Sequence, residues 1–296
     1  MDRDLTPDVH EPNRDPDNAR EARGDRLPQH LSVDRFPERN PERILTERQR
    51  DALHDIGRFR TVAAEDLSNH RYRGHSAVMR DDLDSLLAQG MLQRRTALVA
   101  KGQHKLVVFV LTKAGQAAAE RHRSNPEQVV YRGYVKPSEV AHDAAIYRMF
   151  HKEAENIIAK GGRICRVVLD YELKRQIYSP LAKLRAKIDK SAAKPGTKES
   201  GSQRAEYQQK QAQVARENGL KVVDGKIPLP DLRIEYETAT GEMTKVDLEL
   251  ATHHYHGSHL QTKAEAGFKM YAADGSAGRG SAVLEQREIT ASILSL

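Results

Sequence analysis

The sequence is poor in the residues that build disulfide frameworks, membrane spans and large cores. It has one cysteine, Cys165, in 296 residues. An internal disulfide framework and a cysteine-rich zinc site are therefore excluded, and a cytoplasmic location is the simplest reading. No run approaches the roughly 18 apolar residues that a membrane span needs. The N-terminus carries no apolar signal-peptide region, so neither a membrane protein nor a secreted one is expected. Hydrophobic residues make up 38%, below the roughly 45–50% usual for globular chains. Some of the chain is thus not expected to pack.

Charge is abundant and unevenly spread. The chain has 48 Lys and Arg against 42 Asp and Glu, a net of +6. Residues 1–43 hold 8 arginines and 11 acids, a net of −3, and 6 of the 12 prolines. With so few large apolar residues, this stretch is expected to be a disordered acidic tail. Residues 44–123 carry 14 basic and 9 acidic side chains, a net of +5. Residues 174–217 carry 11 and 4, a net of +7. Two basic blocks fit a chain that meets phosphates; a solvated helix surface is the alternative.

The first block has the signals of a small mixed domain over residues 44–125. Thr46-Glu47-Arg48-Gln49 is a capping box that opens a helix to about Arg58. A short helix follows over Ala63–Asn69. A third spans Ser76–Gln89, with Met79, Leu83, Leu86 and Leu87 on one face and Gly90 as its stop. Met91–Val99 and Lys105–Leu111 read as a hairpin with a flexible tip at residues 100–104, and Thr112 caps a last helix over Lys113–Arg123. This order resembles a winged helix-turn-helix. The resemblance rests on the third helix, on Gly90-Met91-Leu92 after it, and on Leu111-Thr112-Lys113-Ala114-Gly115 after the hairpin. It implies that the start of the third helix enters the major groove of double-stranded DNA, with Arg71, Arg73, His75, Ser76 and Arg80 as contacts. Lys101, Gln103 and His104 are the implied contacts at the wing tip. A winged helix used for protein contacts is the alternative.

The second block, residues 137–296, has a different pattern. A helix is expected over Val140–Lys160, with Val140, Ala144, Tyr147, Phe150, Ala154, Ile157 and Ile158 on one side, stopped by Gly161-Gly162. Arg163–Leu169 reads as a buried strand that makes Cys165 a core thiol. The basic segment 174–217 reads as an insertion with helical ends and a flexible polar middle at 194–202, able to close over a ligand. Two alternating strands then matter most. Leu232, Ile234 and Tyr236 face one way, as do Val246, Leu248 and Leu250. Asp231, Glu235, Asp247, Glu249 and His253 share the other face, where like charges repel and a cation would relieve them. Such oxygen-rich sets suit Mg²⁺ or Mn²⁺. His253-His254-Tyr255-His256 and His259 read first as an ordinary polar strand end, although at most His253 and His256 could share a metal with Glu249. His142 is a further candidate, and Val283–Leu294 reads as a packing helix or a partner-binding one.

These residues resemble the PD-(D/E)xK nuclease superfamily. Pro230-Asp231 matches its first half-motif, and Glu249-Leu250-Ala251, 18 residues later, matches its second. Helix 140–160, strand 163–169, the two strands and a helix after His256 follow that fold's αβββα order. A winged helix ahead of such a core resembles the replication-relaxation family, with its MobC-type mobilisation proteins, over residues 44–296. The resemblance implies an α+β protein with a restriction-endonuclease-like α/β core, and a nuclease or relaxase activity that nicks DNA during plasmid or mobile-element mobilisation, alongside other mobilisation or replication proteins. It also implies that Asp231 and Glu249 hold one or two cations, with Asp247 and His253 as further ligands. Ala251 stands where the family has lysine. Either Lys263 supplies that charge from the next helix, or catalysis is lost and a DNA-binding transcription or replication regulator remains. Lys245 lies at the far end of its strand, and Tyr255 is a lesser candidate for a covalent tyrosyl link.

Overall fold

The computed structural model describes residues 45–99, 104–133, 136, 139–192, 199–251, 257–272 and 293–295. The acidic segment 1–43, Lys101 and Gln103, residues 194–198, His253 through His256 and residues 283–292 lie outside the described residues. Among the described residues, no helix is long and apolar enough to cross a membrane.

Helix α1 (Glu47–Phe59) opens on the expected capping box. Gln49 N donates to Thr46 Oγ1 at 3.2 Å, and Thr46 N donates to Gln49 Oε1 at 3.1 Å. A two-residue strand β1 (Val62–Ala63) leads into α2 (Ala64–Asp66), which continues as a π-helical turn over Leu67–Arg71. Helix α3 (Ser76–Ala88) follows, then β2 (Leu92–Val99), β3 (His104–Leu111) and α4 (Lys113–His122). The strands form an antiparallel sheet in the order β1-β3-β2, with Leu92 opposite Leu111 and Val62 opposite Phe109. Thr112 caps α4 by accepting from Gly115 N at 3.1 Å. Gly115 packs so closely on β2 that a Cβ there would collide with the Met91 carbonyl oxygen.

Helix α5 (Val140–Ala159) and β4 (Arg163–Leu169) come next, followed by two long helices, α6 (Asp170–Ala192) and α7 (Glu199–Glu217). The polar stretch 199–202 is thus helical where a loop was expected. Strands β5 (Leu232–Glu237) and β6 (Met243–Ala251) form the expected hairpin, and α8 (Gly257–Ala266) follows. Two short strands escaped the sequence reading: β7 (Lys269–Ala272), and β8 (Ile293–Ser295) in place of a helix end. They extend a sheet of order β4-β5-β6-β7-β8, antiparallel from β4 to β6 and parallel beyond. The architecture is α+β.

One apolar cluster runs through both blocks. Leu53, Ile56 and Phe59 of α1 share it with Tyr147 and Phe150 of α5 and with Leu232, Ile234, Leu248 and Leu250 of the hairpin. Phe59 meets Tyr147 edge-on, ring centres 5.0 Å apart. Helix α5 therefore packs on two sides, which a single apolar stripe does not convey. Ile158, expected on that stripe, is 61% exposed. A second cluster joins Ile177 and Leu181 of α6 to Val214 and Ala215 of α7 and to Phe268. Cys165 is not a core thiol: it lies half-buried at a register shift between Ile164 and Arg166, where β4 bulges against β5.

Candidate functional site

Two groups of expected residues occupy distinct surfaces. The first surrounds the start of α3. The chain enters it through Arg73 at φ 50° and Gly74 at φ 82°, left-handed conformations that turn the backbone sharply. That turn leaves Arg73, His75, Ser76 and Arg80 exposed together. Arg71 points elsewhere. Its Nε donates to Asp55 Oδ2 at 2.6 Å, and its Nη1 reaches Asp51 at 3.3 Å. Asp55 also pairs with Arg58. Burial pushes the Asp55 carboxyl up, but the Arg58 and Arg71 charges outweigh it and hold it down at about 2. Arg71 is thus committed to an internal ion pair.

His104 is exposed at the described end of the hairpin. The hairpin adds three cations that the sequence reading passed over, Arg94, Arg95 and Lys105, all exposed. Adjacent arginines on a strand point to opposite faces, so only one would be expected outside. Both are exposed, so neither face of β2 is covered at this point. The available signal was the adjacent pair Arg94-Arg95 within the polar run Gln93–Thr96 of the strand.

The second group lies at the end of the β5–β6 hairpin. Asp231 precedes β5 and its Oδ2 accepts from Leu250 N at 2.9 Å, which brings it against the Glu249–Leu250 peptide. Glu249 is fully buried, and Lys263 of α8 reaches its Oε1 at 2.7 Å while donating to Leu229 O at 2.7 Å. A positive charge therefore stands at Glu249, carried by the next helix. His142 Nε2 lies 3.4 Å from Asp231 Oδ2, and its Nδ1 lies 3.6 Å from Asp143. Burial alone would lower the His142 pKa, but Asp143 and Asp231 together raise it to about 10.

The remaining carboxylates of this face have cations of their own. Asp247 accepts from Arg233 Nε at 2.6 Å and Nη2 at 3.0 Å, a bidentate pair across the hairpin. Glu235 lies 3.6 Å from Arg166. Lys245 is anchored at the far end, donating to the carbonyls of Asn218 and Gly219. The repulsion that the strand pattern suggested is thus relieved by the protein's own side chains. Among the described residues, no three His, Cys, Asp or Glu side chains converge as a metal site. Of the carboxylates expected to hold a cation, Asp231, just before β5, and Glu249, on β6, are left, and Mg²⁺ is commonly held by one or two carboxylates together with phosphate oxygens. His259 is exposed on α8.

A cavity of about 440 Å³ opens beside Asp231, and Arg60, His142, Asp143, Asp170, Tyr171 and Lys174 are among the residues that line it. Asp170 N donates to the Asp231 carbonyl at 3.3 Å, fixing the start of α6 against the hairpin. Comparison with family models, characterised proteins and solved structures finds no match to the chain.

Proposed function

We propose that the protein binds double-stranded DNA through a winged-helix-like first block and nicks it at a restriction-endonuclease-like core, in the manner of mobilisation nucleases. The observation that carries this reading is that Asp231 accepts from the Leu250 amide while Lys263 reaches the neighbouring Glu249, so both carboxylates and an ammonium group attach to one short stretch of β6. A carboxylate pair beside an ammonium group is what phosphodiester hydrolysis asks for: oxygens for a cation and a positive charge for the developing phosphate. When bound, Mg²⁺ or Mn²⁺ would polarise the phosphoryl oxygen and lower the pKa of attacking water. Asp231 and Glu249 would hold it, with His253, four residues after Glu249, as a further ligand, since Asp247 is held by Arg233. Exposed Arg73, His75, Ser76 and Arg80, with His104 and the hairpin arginines, supply the phosphate and groove contacts.

A non-catalytic DNA-binding regulator is the second reading, favoured by the zero exposure of Glu249 and by the locking of Asp247 on Arg233. Manganese binding separates the two. Free Mn²⁺ gives a sharp spin-resonance signal that is lost on binding. The full chain mixed with a short duplex should remove more Mn²⁺ than the duplex alone, and Glu249→Gln should abolish the excess. Equal uptake by wild type and Glu249→Gln would leave the regulator reading.

A further inference from the structure

One face of α6 leads away from the cavity beside Asp231. Tyr171, Lys174, Arg175, Tyr178 and Arg185 follow one another at helical spacing and are all exposed, Tyr171 by 36% and Tyr178 by 46%. Lys174 lies between them in sequence, 5.9 Å from the Tyr171 ring centre, and pairs with Asp170 one turn earlier. Arg60 closes the row at the cavity end, its guanidinium stacked 4.5 Å over Tyr171. Arg60 has φ 66°, a left-handed conformation costly for a side chain with a Cβ, so its placement there is held by the surrounding fold. Arg60, Arg175 and Arg185 form no ion pair with a carboxylate among the described residues.

Exposed aromatic rings alternating with cations are poorly explained as a solvated helix face, where large rings contribute little. They fit a polymer with flat π-faces and a charged backbone. In a duplex the base faces are stacked on one another and unavailable, whereas in a single strand they are free to stack on tyrosine. We propose that this face of α6 is a track for single-stranded DNA, with bases stacked on Tyr171 and Tyr178 and phosphates on Arg175 and Arg185. The strand would run toward Arg60 and the Asp231 site. This rests on the reading of the protein as DNA-binding, and it names the form of DNA that the core receives.

Fluorescence anisotropy with a labelled oligothymidylate of about 12 nucleotides tests it on the full chain. Tyr178→Ala should weaken binding about tenfold, the loss of one stacked base, while Tyr178→Phe should retain it. Arg185→Glu should weaken binding and flatten its salt dependence. Binding of a labelled duplex by Tyr178→Ala should equal that of wild type, because the duplex is held at α3. If Tyr171→Ala and Tyr178→Ala bind the oligonucleotide as wild type does, or if wild type binds duplex but not oligonucleotide, the track is wrong and the duplex reading stands. If wild type binds neither, both readings are overturned.

Discussion

The imidazole of His142 lies between Asp143 and Asp231, and their charges hold its proton far above the usual histidine range. Its stabilising contribution is complete below the unfolded value of about 6.5 and is lost as pH rises through about 10. In metal-free protein, side-chain NMR at pH 8 should find His142 protonated, and Asp231→Asn should lower its pKa. A neutral imidazole at pH 8 would contradict this geometry. Lys263→Met leaves Glu249 buried without its ammonium partner and should cost about 3 kcal/mol or more in urea unfolding. A change under about 0.5 kcal/mol, the range of an ordinary surface substitution, would contradict the buried pair. Lys263 was legible in the sequence, because α8 follows the second half-motif closely enough to fold back on it. Arg233 was harder to place. Its alternation puts it on the carboxylate face, but only the register set by the β5–β6 turn puts it opposite Asp247.

At the scale of elements, α3 and the β2–β3 hairpin carry the proposed duplex contact. Arg73→Ala and Arg80→Ala should each weaken duplex binding and reduce the logarithmic salt slope by about 1. Arg71→Ala should instead lower stability, since it strips a partner from buried Asp55. Unchanged slopes for Arg73 and Arg80 would remove α3 from the interface. The junction of α1 and α5 makes a second prediction. Burial, followed by the Arg58 charge, lowers the His54 pKa to about 4. Burial, followed by His70, which stacks on it at 4.4 Å, lowers that of His151 to about 4. Both histidines take up protons more readily unfolded, so their stabilising contribution is complete above about 6.5 and is lost as pH falls toward 4. The urea midpoint should therefore fall between pH 7 and pH 5, and His151→Leu should flatten that fall. An unchanged slope would contradict the buried, neutral His151. The capping box of α1, the Thr112 cap of α4 and the glycine after α3 made those helices readable, since such signals are local. The double-sided packing of α5 was not readable, because what covers its second side lies far away in sequence.

The molecule joins its two blocks through one core, so the helix-rich N-terminal half and the five-stranded sheet share their apolar interior across α5. The mixed α+β character and the order of elements could be read from hydrophobic periodicity. The parallel strands β7 and β8 could not: each is four residues or fewer and depends on a neighbour already in place. The net charge of +6 also resolves at this scale. Among the described residues, exposed cations gather at α3, along the hairpin and along α6, while buried Asp55, Asp66, Glu153, Glu172 and Glu249 each lie beside a cation. Supercoiled plasmid carrying the cognate site, incubated with the full chain and Mg²⁺ or Mn²⁺, tests the central claim. Wild type should convert it to open circles, while Glu249→Ala and Lys263→Ala should bind the same DNA and leave it supercoiled. Supercoiled plasmid left intact by wild type, with Glu249→Ala binding DNA equally well, would contradict the nuclease account.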